Sequence, residues 1–236
     1  MTAIVTGGTK GIGLGVTRML VRKGYRVIVS YAHDDEAALH LQNEYPDSVL
    51  IFKADHSVRK QTYSFVHFIR QHTSTVNCVV LNAGMTIRKA FTEMLDNDWD
   101  YMMEVAVNSS VILLRELYNN VADCSRIIFT GSTMAIYPHA TVLGYGVTKS
   151  AIHSLAKNLV KVFEPKQTTV NVIAPGFVET EWQKNKPEEI RQHICAKTAV
   201  HRFCSVDEVV KSYEFCLEND FVNGSVIEVN GGYSYQ

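Results

Sequence analysis

Short runs of β-branched and other apolar residues alternate along this chain with longer stretches whose apolar positions recur every three to four residues. The first pattern suits strands buried on both faces, and the second suits helices that bury one side. Seven strands are predicted, over Thr2–Thr6, Arg26–Ser30, Val49–Lys53, Asn77–Asn82, Arg126–Gly131, Thr169–Ala174 and Ser225–Val229. Helices are predicted between them, over Gly11–Lys23, Asp35–Glu44, Val58–His72, Asp96–Asn119, Leu143–Phe163 and Val206–Glu218. Strands that alternate with helices in this way form βαβ units, so the expected fold class is α/β, a doubly wound parallel sheet of about seven strands with helices on both faces. No linker, repeat or low-complexity tract interrupts the alternation, and residues 1–236 are read as one domain. The one long polar departure is Glu179–Cys204, between a strand and a helix. At the strand ends where such sheets bind ligands, it is either a substrate lid, the favoured reading, or a solvated surface excursion.

Composition narrows the classes of function. A net charge of −1, with both signs scattered along 236 residues, gives no electrostatic case for nucleic acid or an anionic membrane as partner. A hydrophobic share of 46% and a charged share of 20% suit a globular chain and argue against disorder or a fibrous repeat. The five cysteines, Cys78, Cys124, Cys195, Cys204 and Cys216, are odd in number and form no CxxC pair, which favours reduced thiols over a disulfide framework or a metal site. There is no signal-peptide pattern and no membrane-length apolar run, so a cytoplasmic location is expected.

The first strand runs into Thr6-Gly7-Gly8-Thr9-Lys10-Gly11-Ile12-Gly13, after which the pattern turns helical. Glycines are required where backbone N–H groups approach a pyrophosphate at a helix N-terminus, although a plain βα turn also uses them. This Gly-x-x-x-Gly-x-Gly spacing resembles the opening motif of the short-chain dehydrogenase/reductase family. Four further blocks match in the family's order: Leu81-Asn82-Ala83-Gly84, Ser132, Tyr145-x-x-x-Lys149 and Pro175-Gly176. The resemblance covers the whole chain and implies a Rossmann-like NAD(P)-dependent oxidoreductase acting on CH–OH groups.

Tyr145 and Lys149 are four residues apart and so share a helix face. A phenol with a pKa near 10 is a poor acid or base at neutral pH, and an adjacent ammonium is expected to lower that value by about one to three units. Ser132 can hydrogen-bond a substrate oxygen on which charge develops. A Tyr and a Lys at this spacing also occur as a half-buried aromatic beside a solvated charge. The resemblance implies instead that Ser132, Tyr145 and Lys149 are catalytic, with Lys149 also binding the nicotinamide ribose. The family's proton-relay Asn has two candidate positions. Val107-Asn108 supplies the usual dipeptide, whereas alignment on Trp99 places Ala106 there.

The resemblance assigns cofactor contacts to Gly7, Thr9, Lys10, Gly11, Ile12 and Gly13 in the phosphate loop, to Asp55 at the adenine and to Asn82, Ala83 and Gly84 beside the adenosine ribose. Pro175, Gly176, Val178 and Thr180 match the segment that holds the nicotinamide carboxamide. Enzymes that select NAD place an acid at the end of the second strand, where this chain has Ser30. With Lys10 in the loop, NADP (NADPH) is the favoured cofactor. The wording of several blocks is similar to the bacterial 3-oxoacyl-acyl-carrier-protein reductases of fatty acid synthesis. That subgroup docks its carrier through two basic residues. Lys166 keeps one, but Asp123 falls at the other and would repel an acidic carrier. The substrate is thus expected to be a small molecule or an acyl-carrier-protein-bound 3-oxoacyl thioester, the alternatives being another small ketone or alcohol in secondary metabolism, or a catalytically impaired NADP-binding regulator. The resemblance further implies a homotetramer or dimer, to which Phe163, Phe221, Tyr233 and Tyr235 could contribute.

Overall fold

The computed structural model describes residues 1–233. Its strands are β1 (Thr2–Thr6), β2 (Arg26–Tyr31), β3 (Val49–Lys53), β4 (Val76–Leu81), β5 (Val121–Thr130), β6 (Thr169–Pro175) and β7 (Val226–Val229). They form one parallel sheet in the order β3-β2-β1-β4-β5-β6-β7. The chain moves outward in one direction from β1 to β3 and then restarts at β4 on the other side of β1. A crevice opens at that switch, outside the carboxyl ends of the strands.

Side-chain alternation explains why these segments are strands with helices on both faces. Ala3, Val5, Val27, Val29 and Val80 point to one side and pack with Val16, Leu20, Val209 and Tyr213 of α1 (Gly11–Arg22) and α9 (Val206–Glu218). Ile4, Ile28, Val79 and Phe129 point to the other and pack with α3 (Arg59–His72) and α6 (Leu143–Phe163) through Phe65, Ile69, Ile152 and Ala156. The helix α2 (Asp35–Glu44) begins at Asp34, whose side chain accepts from the Ala37 N–H at 2.8 Å.

Three elements differ from the sequence reading. The helix expected over Asp96–Asn119 is α4 (Asp96–Met103), a π-helical turn over Glu104–Asn108 and α5 (Ser109–Glu116). Ser109 and Ser110 hydroxyls donate to the carbonyls of Val105 and Ala106, at 2.6 and 2.7 Å, across that widened turn. A single extra residue accommodated in this way leaves the apolar period on either side almost undisturbed, so periodicity alone shows one helix. The strand β5 starts at Val121 rather than Arg126, because Ala122–Ser125 bulge out opposite Asn77 with Cys124 in the left-handed region at φ 56°. The polar stretch after β6 contains α7 (Glu181–Lys184) and α8 (Glu188–Ala196), too short and too charged to show a clear period. Its two ends are tied together by a bridge between Val178 and Cys204, with the Glu179 N–H donating to the Cys204 carbonyl at 2.8 Å.

One of the residues considered for assembly is corrected here. Phe163 is 1% exposed and belongs to the core, where it packs on Tyr118, so it cannot face a second copy. Tyr233 tilts against Phe177 at 5.5 Å, Phe221 is 98% exposed, and Tyr235 lies outside the described residues.

Candidate active site

A cleft of about 640 Å³ runs along the carboxyl ends of the strands. One half is built by the glycine turn. Gly7 and Gly11 sit at φ +62° and +51°, where side chains are rarely accommodated. A Cβ on Gly13 would fall on the Gly7 carbonyl and 2.6 Å from Asn82 Nδ2. Asn82 locks this turn to β4, as its Nδ2 donates to the carbonyls of Thr6 and Gly7 at 3.1 and 3.0 Å while Thr130 Oγ1 donates to its Oδ1 at 3.1 Å. No side chain caps the start of α1 and its first turn carries no acid. Its unpaired N–H groups and positive dipole end therefore face the cleft as a cradle for an anion, and these residues fit a dinucleotide pyrophosphate.

All of the residues expected at the site line this cleft except Thr9 and Ser30. Ser30 is fully buried, with Oγ 2.8 Å from Nε2 of His56, and cannot reach a ribose substituent. Tyr31, Ala32 and His33 line the cleft at that end instead. Thr9 is buried in the turn. Asp55 reaches the cleft and also accepts from the Ser57 N–H at 2.9 Å, so it holds its own turn as well. Lys10 lines the cleft, but its ammonium is ion-paired with Asp34 and, at 3.1 Å, with Glu181 at the start of α7. The cation expected to stand open in the phosphate loop therefore already has two carboxylate partners.

At the other half, α6 carries Tyr145, Lys149 and His153 on one face beside the end of β5. Lys149 Nζ donates to the Thr130 carbonyl at 2.6 Å and lies 5.6 Å from the centre of the Tyr145 ring. Burial pushes the Lys149 ammonium down to about 8. The expected depression of the phenol is not found. Burial raises the Tyr145 pKa, against the opposing effects of the Ser132 hydroxyl and the Arg88 charge, because desolvation of a phenolate outweighs both. Ser132 Oγ accepts from the Met134 N–H at 3.1 Å.

His153 escaped the sequence reading, although its spacing from Tyr145 and Lys149 by successive fours could have flagged it. Its Nε2 accepts from the Ser132 backbone N–H at 3.4 Å. Burial holds its pKa down at about 4, so it is neutral at pH 7 and Nε2 is available as an acceptor. Neither candidate for the relay Asn presents an amide to the cleft. Asn108 Nδ2 donates to Glu104 Oε2 at 2.6 Å, Glu104 is held in turn by Arg59, and Ala106 is buried. Tyr101 and Val105, with Met85, Trp182 and Gln183, form part of the remaining wall, and of these five only Met85, which follows Asn82-Ala83-Gly84, falls in a block with a family resemblance.

Comparison with known proteins bears on the family and the fold. A family model described as short chain dehydrogenase matches residues 1–191. The chain is 26% identical over 234 residues to the 3-oxoacyl-[acyl-carrier-protein] reductase FabG of Salmonella typhimurium, covering 98% of this chain and 96% of the relative. It is 29% identical over 240 residues to the 2-dehydro-3-deoxy-D-gluconate 5-dehydrogenase of Pseudoalteromonas atlantica, covering 98% and 94%. In fold it is similar to a short chain dehydrogenase from Burkholderia cenocepacia solved with NADP, at a TM-score of 0.91 and 22% identity, covering 98% of this chain and 97% of the other.

Proposed function

We infer that this chain, which belongs to the short-chain dehydrogenase/reductase family, uses NADPH to reduce a ketone to an alcohol, with Tyr145 as the proton donor. The observation that carries this reading is the convergence of Ser132, Tyr145 and Lys149 in one cleft with the glycine cradle. Bound NADPH supplies the hydride. Ser132 Oγ holds the substrate oxygen, and Tyr145 Oη passes its proton to that oxygen as charge develops there. Burial, which raises the pKa of the phenol, keeps Tyr145 in the protonated form from which a proton can be given to the substrate oxygen. Lys149, anchored on the Thr130 carbonyl, supplies positive charge to the phenolate left behind and hydrogen bonds to the nicotinamide ribose.

NADP is favoured over NAD because the cleft-lining residues at the end of β2 are Tyr31, Ala32 and His33, with no acid among them, and because a dianionic 2′-phosphate competes well for Lys10. Residues 179–204 act as the substrate lid, with Thr180, Glu181, Trp182 and Gln183 already against the cleft. A 3-oxoacyl thioester is the first substrate to test, given the similarity to FabG. A specific observation favours a second reading, a small ketone not delivered by a carrier protein. Lys166 is spent on the Val121 carbonyl at 2.8 Å and the Tyr118 ring at 5.2 Å, with Asp123 only 4.0 Å away. Both residues sit at the amino ends of β5 and β6, away from the cleft. A homo-oligomer, if formed, uses surfaces other than Phe163.

The test is oxidation of NADPH, followed by nicotinamide absorbance, with acetoacetyl thioesters and free ketones. Tyr145→Phe is expected to lower kcat by a factor on the order of 10² to 10⁴ with cofactor affinity retained. A Tyr145→Phe variant within threefold of the parent would remove the tyrosine from its role.

A further inference from the structure

We propose that His56 is a positioning residue for the adenosine half of the cofactor, fixing the spacing between the pyrophosphate cradle and the turn at Asp55. The proposal rests on the reading of this cleft as a dinucleotide site and adds a residue to it. His56 lines the cleft but is only 5% exposed, so little of its ring can meet a ligand. The ring instead ties its own turn to two other elements. Its Nε2 is hydrogen-bonded to Ser30 Oγ of β2 at 2.8 Å, and its Nδ1 to Thr62 Oγ1 of α3 at 3.0 Å. Phe65, further along α3, meets the imidazole edge to face with ring centres 5.9 Å apart.

The chain of contacts continues on both sides of the ring. The Ser30 carbonyl accepts from the Gly8 N–H at 3.1 Å, so the residue that holds the imidazole also holds the glycine turn. On the other side, two consecutive residues in the first turn of α3 hold two consecutive residues of the cleft wall. Thr62 holds His56, and Gln61 Oε1 accepts from the Asp55 N–H at 2.8 Å. The Ala54 N–H, donating to the Tyr31 carbonyl at 2.8 Å, closes the loop back onto β2. One buried network therefore runs from the phosphate loop to Asp55, the two places that the dinucleotide reading gives to pyrophosphate and adenine.

Ser30 and Thr62 are fully buried, and neither hydroxyl has a side-chain partner other than this ring among the described residues. Burial keeps the imidazole neutral at pH 7, with one donor and one acceptor nitrogen, and a hydroxyl can meet either. All three side chains are thus satisfied together. An apolar residue at position 56 would fill the space, but it would exert none of the directional restraint that two hydrogen bonds place on the ring. If one hydroxyl is lost, a ring nitrogen is left buried and unpaired, and the nearest relief is for the ring to turn toward water in the cleft. Asp55 would move with it. A ligand that spans both places binds tightly only while their spacing is set in advance.

The test is calorimetric titration of the intact protein with NADPH, each variant being held well below its unfolding midpoint. Ser30→Ala and Thr62→Val remove one hydroxyl each and change little else. Each is expected to weaken NADPH binding by about tenfold. Thr62→Ser keeps the hydroxyl and should bind within twofold of the parent. The double variant Ser30→Ala/Thr62→Val should bind no more weakly than the weaker single, because either loss frees the ring. Affinities within twofold of the parent in both single variants, whatever their unfolding midpoints, would show a merely structural network and overturn the proposal. Losses that multiply to about a hundredfold in the double variant would also overturn it, since the hydroxyls would then act independently of the ring. A parent that binds no NADPH would defeat the dinucleotide reading itself, whereas a parent that binds it beside indifferent variants defeats this proposal alone.

Discussion

Replacement of Gly131 by Ala tests whether His153 positions Ser132. A Cβ at Gly131 would lie 2.6 Å from Val172 Cγ1 and 2.9 Å from His153 Cδ2, and closer still to Nε2. Val172 is a fully buried strand residue and cannot withdraw, so the imidazole must move. Overpacking of this kind costs about 1–3 kcal/mol. Displacement of Nε2 also strips the buried Ser132 N–H of its acceptor, a loss of about 1–3 kcal/mol. Taken together and allowing for partial relaxation, Gly131→Ala should destabilise the protein by about 3 kcal/mol. In a His153→Ala background the ring is gone and the N–H is already orphaned, so only the Val172 contact remains and the same change should cost about 1 kcal/mol. The expected coupling is therefore about 2 kcal/mol, measured from denaturant unfolding of the four proteins with the slopes compared. The single variants should also lower kcat by about a hundredfold with KM little changed, since a displacement near 1 Å of a positioning group has that effect. Stability changes that add within about 0.5 kcal/mol would show that His153 and Gly131 act independently and would refute the argument.

Two further outcomes follow from charges in the same cleft. Asp34→Asn removes one partner of Lys10 and should raise the preference for NADP over NAD by about tenfold, measured as the ratio of kcat/KM values; an unchanged ratio would mean that Lys10 does not meet the 2′-phosphate. His56 and His153 are each held neutral by burial, at about 4 against an ordinary 6.5. A histidine with a depressed folded-state pKa contributes stability that is complete above its unfolded value and is lost as the pH falls toward the folded value. Unfolding free energy should therefore decline between pH 6.5 and about 4, by on the order of 3 kcal/mol per histidine, and His153→Leu should flatten that decline.

The half of the site proposed to hold a dinucleotide was legible in the sequence because its constraints are local. Gly7, Gly11 and Gly13 are required by a turn whose strand and helix flank them directly, and Asn82 and Pro175 stand at ends of strands that announce themselves by β-branched runs. The half proposed to meet substrate was not. Tyr101 reaches the cleft from just before, and Val105 from within, a π-turn that leaves no mark on periodicity, and Trp182 and Gln183 come from a helix of four residues. His153 matters only because the end of β5 comes to lie against α6, a tertiary fact.

The electrostatic readings show the same boundary in sharper form. From the sequence, Lys10 was the cation awaiting a phosphate, Lys149 was the charge that lowers the Tyr145 pKa, and Ser30 was a ribose neighbour. Each inference assigned a charge or a hydroxyl to the cleft by its place in a motif, but pairing and desolvation depend on what other segments bring alongside. Asp34 and Glu181 arrive from two different loops and neutralise Lys10. Burial acts on both Tyr145 and Lys149 and moves the phenol the opposite way from the expected shift. A motif places a residue at a strand end, and the charge that residue carries there is set by what distant segments bring beside it.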